Sequence, residues 1–161
     1  MPKPRQRLDL LWLPASPDAA VDPAAFERLR VRWAARGWLD GGASAPAGGF
    51  RRIWLDDPGA VRFYANQLGG FRVSCPRCGQ NAVAGFGTAM RAWRAGGPRV
   101  GRCAACGLAA DLDAWAFRPA AAFARGAVVL SDVGQPDVSP EVAEELDAVT
   151  GPSRVVLRRP V

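Results

Sequence analysis

Two short stretches hold every cysteine of this chain. Cys75-Pro76-Arg77-Cys78-Gly79 is followed by Cys103-Ala104-Ala105-Cys106-Gly107, with 24 residues between Cys78 and Cys103. A C-x-x-C step bends the backbone so that two thiolates face one ion. A glycine just after the second cysteine permits a left-handed turn and lets backbone amides approach the sulfurs. Two such knuckles supply the four thiolates of a tetrahedral Zn2+ site. The chain contains no histidine, which excludes an imidazole ligand, a Ser-His-Asp or Cys-His relay and an imidazole acid or base. Four thiolates leave no coordination position open, so the expected cofactor is one structural Zn2+ rather than a catalytic ion. Three other chemistries use the same residues: disulfides, a thioredoxin-like dithiol that leaves the second pair unexplained, and a four-cysteine iron site.

Through Cys75, Cys78, Cys103 and Cys106, with Gly79 and Gly107, residues 71–110 resemble the zinc-ribbon superfamily. The resemblance implies two β-hairpin knuckles clamping one zinc. One departure is visible, because residues 88–95 (TAMRAWRA) have helical character where a simple ribbon continues as strand. A segment this short, with few large apolar side chains, needs its metal in order to fold.

The charge of the chain bears on its partner. There are 21 Lys+Arg against 15 Asp+Glu, a net charge of +6. Lys3 is the single lysine, and arginine, alanine, glycine and proline abound, a bias that a GC-rich genome produces without selection for binding. Placement is more telling. Residues 71–110 carry Arg72, Arg77, Arg91, Arg94, Arg99 and Arg102 with no acidic residue, so the remainder is neutral. A Zn(Cys)4 centre of formal charge −2 accounts for part of that excess. Phe71, Phe86 and Trp93 interleave with the arginines; Phe71 and Phe86 read as the ribbon's core, while Trp93 is either core or an exposed ring that stacks a base beside arginine-held phosphate. Nucleic acid is therefore the expected partner, through Arg72, Arg77, Arg91, Trp93, Arg94, Arg99 and Arg102. The alternative is an acidic protein partner, met by an adaptor or immunity-type inhibitor whose zinc is purely structural and whose six tryptophans serve as interface anchors. The close carboxylate pairs, Asp56-Asp57 and Asp111-x-Asp113, read as turn chemistry and as a weak hard-cation signal. No catalytic constellation and no small-molecule substrate site is evident, so the expectation is a binding protein and not an enzyme.

The elements that must position these residues follow from periodicity and punctuation. Residues 8–13 (LDLLWL) read as a buried strand behind a basic arm, 1–7. The apolar run is too short for a signal peptide, and none approaches the ~18 residues of a membrane span. A cytoplasmic location, where thiols stay reduced, is expected. Asp22 as N-cap, Pro23 at the first position and Gly37 past the end bound a helix with Phe26, Leu29 and Trp33 on its inner face. Arg28, Arg32 and Arg36 line another face, which reads as solvated. Residues 40–49 form a loop, 50–55 a strand and 60–68 a short helix, while 108–117 is ambiguous. Residues 126–133 read as a strand. Ser139 and Pro140 open a helix with Val142, Leu146 and Val149 inward, stopped by Gly151-Pro152, and 153–159 is the last strand.

In order this is β-α-β, an insert, then β-α-β. The expected fold is α+β: a ferredoxin-like (split β-α-β) sandwich with an inserted zinc ribbon. The first half occupies 8–68, the insert 71–110 and the second half 111–161.

Overall fold

The structure is a computed structural model that describes residues 8–40, 50–66, 71–134 and 136–159. The basic arm 1–7 and nearly all of the loop at 40–49 lie outside the described residues. The chain opens with β1 (Leu8–Pro14), α1 (Pro23–Ala35), β2 (Arg52–Asp56) and β3 (Arg62–Tyr64). The cysteine segment follows: β4 (Arg72–Ser74), α2 (Val83–Arg94), β5 (Val100–Arg102), β6 (Ala109–Asp111), one 3-10 turn at Leu112–Ala114, and β7 (Ala116–Arg118). The chain returns through β8 (Ala122–Ala124), β9 (Ala127–Val133), α3 (Pro140–Thr150) and β10 (Ser153–Arg158). Two compact units result. One comprises Met1–Leu68 with Ala120–Val161, and the other is Gly69–Pro119.

The first unit is a mixed α/β structure built on a four-stranded sheet of order β10-β1-β9-β2, with every neighbouring pair antiparallel. Helix α1 starts where local chemistry dictates. The Asp22 carboxylate accepts the Ala24 N–H at 2.9 Å, Pro23 follows, and Gly37 takes φ +68° beyond the last turn. Ser139 caps α3 in the same way through the Val142 N–H. Phe26, Leu29 and Trp33 of α1 and Val142 and Leu146 of α3 bury against Leu10, Trp12, Val128 and Leu130 of the sheet. On α3, Val149 is only partly buried, and Thr150 instead is buried, its hydroxyl donating to the Leu146 carbonyl at 3.1 Å.

From Leu10 to Leu13 strand β1 is apolar without a break because both its faces are covered. Leu10 and Trp12 point to the helices, whereas Leu11 and Leu13 join Tyr64, Ala122, Ala124, Val129 and Val156 on the other face. That second cluster corrects the helix expected at 60–68. Arg62-Phe63-Tyr64 is strand β3, paired with β8 in the register Arg62↔Ala124, Phe63↔Phe123 and Tyr64↔Ala122. Alternation explains it: Phe63 packs at a tilt against Phe123 with ring centroids 4.9 Å apart, and Tyr64 buries into the cluster.

The arginine row of α1 is also not a plain solvated face. Arg32 and Arg36 both reach Glu145 of α3, and Arg36 also lies 3.4 Å from Glu141 and over the Trp38 ring at 4.8 Å. Among the described residues no helix is long and apolar enough to cross a membrane.

Candidate metal centre

The second unit is assembled from four short strands, one helix and one 3-10 turn. Strand β4 pairs with β7 (Arg72↔Arg118, Val73↔Phe117, Ser74↔Ala116), and β5 pairs with β6 (Val100↔Asp111, Gly101↔Ala110, Arg102↔Ala109). Between them α2 buries Phe86 and Met90, starting five residues earlier than the helical stretch expected at 88–95. The ambiguous 108–117 stretch resolves into β6, the 3-10 turn and β7, so the unit continues to Pro119. Its core comprises Val73, Phe86, Met90, Leu112 and Trp115, with Phe117 edge-on to Phe86 at 5.2 Å and stacked near Phe71 at 6.3 Å. Gly101 has no side chain because Trp115 and Leu112 occupy the space. A Cβ there would lie 3.0 Å from Leu112 Cδ2 and 3.1 Å from Trp115 Cζ2.

The two knuckles have the same hydrogen-bond design. In the first, Gly79 N–H donates to the Cys75 carbonyl at 2.9 Å and Cys75 N–H donates to Gln80 O at 2.9 Å. In the second, Gly107 N–H donates to Cys103 O at 2.9 Å and Cys103 N–H to Leu108 O at 2.8 Å. Gly79 and Gly107 take φ +69° and +71°, the left-handed region that closes each turn. The knuckles differ in their flanks. The second is the tip of the β5–β6 hairpin, whereas the first is closed on its far side by a single bridge, Ser74↔Asn81, before α2 begins.

Together they bring the four sulfurs of Cys75, Cys78, Cys103 and Cys106 within 4.8 Å of one another. Cys75 Sγ lies 3.7 Å from Cys106 Sγ, and Cys78 Sγ lies 3.7 Å from Cys103 Sγ. A tetrahedron with metal–sulfur bonds of about 2.3 Å has edges of about 3.8 Å. All four cysteines are free of disulfides, with Cys75 and Cys103 buried and Cys78 and Cys106 half-buried. The four are positioned to bind one metal ion.

The electrostatics favour thiolate at Cys75 and oppose it at Cys78. Backbone N–H groups of Cys78 and Arg77 point at Cys75 Sγ, the latter at 3.4 Å, and outweigh burial to bring its pKa down to about 6. Cys78 receives the Gln80 N–H, but desolvation and the neighbouring thiols prevail and push it up to about 11. Four thiolates cannot coexist at this spacing without a cation between them.

No protein-family model, curated protein or solved structure matches the chain.

The arginines named from sequence fall in different parts of the unit. Arg72 is exposed on β4, Arg77 is exposed inside the first knuckle, and Arg91 and Arg94 are exposed on the last turn of α2. Arg91 donates to Thr88 Oγ1 at 3.1 Å, and Arg102 donates to the Gly107 carbonyl at 3.1 Å. Arg99 is different. Its Nε lies 3.1 Å from Asp111 Oδ1, and its side chain is only 15% exposed. Trp93 is half-buried, as are Phe71 and Phe117, while Phe86 and Trp115 are buried.

Arg118 completes the basic set, and sequence reading missed it by placing 111–161 in the sandwich. The signal was present in Ala116-Phe117-Arg118, an alternation that makes a strand partner for Arg72-Val73-Ser74. Counted over Gly69–Pro119, seven arginines face two aspartates, and one of these, Asp111, is bound to Arg99. Both close carboxylate pairs are engaged in local hydrogen bonds. Asp111 caps the 3-10 turn through the Asp113 N–H at 2.8 Å, Asp57 accepts the Gly59 N–H, and Asp56 accepts the Tyr64 hydroxyl at 2.9 Å.

Proposed function

We propose that the chain is a ferredoxin-like sandwich carrying a zinc-ribbon-like insert, and that the insert holds one structural Zn2+ and contacts nucleic acid through its arginines. The order β10-β1-β9-β2 places the fourth, first, third and second strands of a β-α-β-β-α-β chain side by side, which supports the ferredoxin-like reading. Sulfur spacings near a tetrahedral edge, in an all-thiolate donor set, support Zn2+ as the ion. Such a site is closed, so its role is to organise the unit, and the function is binding without catalysis in a thiol-reducing, cytoplasmic setting.

The observation that carries the nucleic-acid reading is the arginine surplus. Arg72, Arg77, Arg91, Arg94, Arg102 and Arg118 are all exposed on one small unit, and no salt bridge joins any of them to a carboxylate among the described residues. The aromatic rings of this unit are wholly or partly withdrawn into its core, so phosphate contact outweighs base stacking. The tryptophans do not favour a protein partner, because Trp12, Trp33, Trp38 and Trp115 are buried and Trp54 alone exceeds a third exposure.

Fluorescence anisotropy with duplex and single-stranded DNA and RNA at several salt concentrations tests this. Six arginines on phosphate give a log K against log salt slope no steeper than about −5. Binding left unchanged by Arg→Gln at Arg77, Arg91, Arg94 and Arg102 together would overturn the reading. A stoichiometric acidic protein captured after nuclease treatment would replace it with the adaptor reading. Metal analysis of the purified chain should find one zinc and no iron.

A further inference from the structure

Arg72 and Arg118 face each other directly across the β4–β7 pair. Both are exposed, and neither meets a carboxylate among the described residues. Like charges directly opposite on antiparallel strands repel, so this register places two guanidiniums where an anion is wanted. The register is not accidental to the arginines themselves. Val73 is fully buried, and its partner Phe117 packs on Phe86 and Phe71, which pins both strands from the other face. Residues two apart share a face, so Ser74 and Ala116 lie beside the arginine pair. Ser74 offers a hydroxyl donor, and Ala116 opposite it puts only a methyl group beside the arginine pair.

We infer that Arg72, Arg118 and Ser74 form a phosphate clamp on the open face of the β4–β7 ribbon, and that it holds a backbone phosphodiester of the bound nucleic acid. Two planar guanidinium forks and a hydroxyl match the oxygens of one phosphate group. The face presents no aromatic ring, so the contact positions the strand and does not read bases. The inference rests on the nucleic-acid reading above and names the anchor within it.

The test uses the full zinc-loaded chain and a fluorescent 20-base-pair DNA duplex. Arg118→Ala is expected to weaken binding about three- to tenfold and to reduce the salt slope by about one. Arg118→Glu should weaken it further while keeping the fold, since it places an opposite charge across from Arg72. In the same samples, side-chain Nε–H NMR signals of Arg72 and Arg118 should shift first on titration with inorganic phosphate. If Arg118→Ala keeps wild-type affinity and slope while Arg91→Gln with Arg94→Gln weakens binding, the clamp is wrong and the nucleic-acid reading stands. If the wild type binds neither the duplex nor single-stranded DNA or RNA but the Arg72 and Arg118 signals move with phosphate, the nucleic-acid reading and this assignment of the phosphate both fall, and a free phosphate is the ligand.

Discussion

The Trp33 indole N–H donates to Glu145 Oε2 at 2.9 Å, tying a fully buried ring of α1 to a carboxylate of α3. Arg32 and Arg36 converge on the same carboxylate, so two turns of α1 are anchored at one point of α3. What looks in sequence like a row of solvated arginines is therefore half of an interhelical contact.

Desolvation pushes the Glu145 carboxyl up, but hydrogen bonds from Arg36, Trp33 and Arg32 outweigh it and hold the group below its ordinary value. A lowered carboxylate contributes stability that is fully present above its unfolded pKa and is lost as pH falls through the folded one. Urea denaturation near pH 7 and at steps down to about pH 3 should show this acid loss. Glu145→Gln should flatten it while keeping an acceptor for Trp33. Glu145→Ala should cost about 1–3 kcal/mol at neutral pH by leaving that indole N–H unpartnered.

Removing one ligand from each knuckle tests the metal's structural role. Cys75→Ser with Cys103→Ser should abolish stoichiometric zinc and collapse the amide NMR signals of Gly69–Pro119, with those of the first unit retained. Acid should release the metal from the native chain, because protons compete for all four sulfurs. A chain that keeps one zinc and its full NMR spectrum after the double substitution would remove this site from consideration.

The knuckle glycines are needed for backbone conformation and not for space. A Cβ at Gly79 or Gly107 meets nothing within 4 Å, yet φ of +69° and +71° strains any other residue. Gly79→Ala and Gly107→Ala should each cost about 1–2 kcal/mol, read as weaker zinc retention against a competing chelator. Asparagine at either position should recover part of the loss, since it tolerates the left-handed region.

Excision tests the independence of the first unit. β3 and β8 flank the second unit in the chain and pair with each other, with Tyr64 opposite Ala122. Replacing Gly69–Pro119 with a short Gly-Ser linker should leave a cooperatively unfolding protein whose Trp33 environment, read by fluorescence, is unchanged. Loss of cooperative unfolding would show that the first unit needs the second.

The parts legible in sequence share one property: their geometry is settled within a few residues. Asp22-Pro23 and Ser139-Pro140 cap their helices by contacts two or three positions away, and Gly37 closes α1 by its own φ. The knuckles are of the same kind, because each C-x-x-C-G closes on its own backbone hydrogen bonds before the other is considered. Residues 60–68 misled because an alternation of three residues is too short to read locally, and only pairing with β8 makes them a strand.

By itself, then, the sequence determined the chemistry of the centre: four thiolates, no imidazole, two identical turns and an arginine-rich surround. Tertiary structure alone decided which arginines belong to it. Arg99 is taken up by Asp111, one residue beyond the acid-free stretch, and Arg118 is brought opposite Arg72 by a strand pairing that spans the whole unit. The physical reason is range. Ligand spacing and glycine turns act over a few bonds, whereas charge pairing and strand register depend on burying Val73 and Phe117, residues that meet only once the chain has folded.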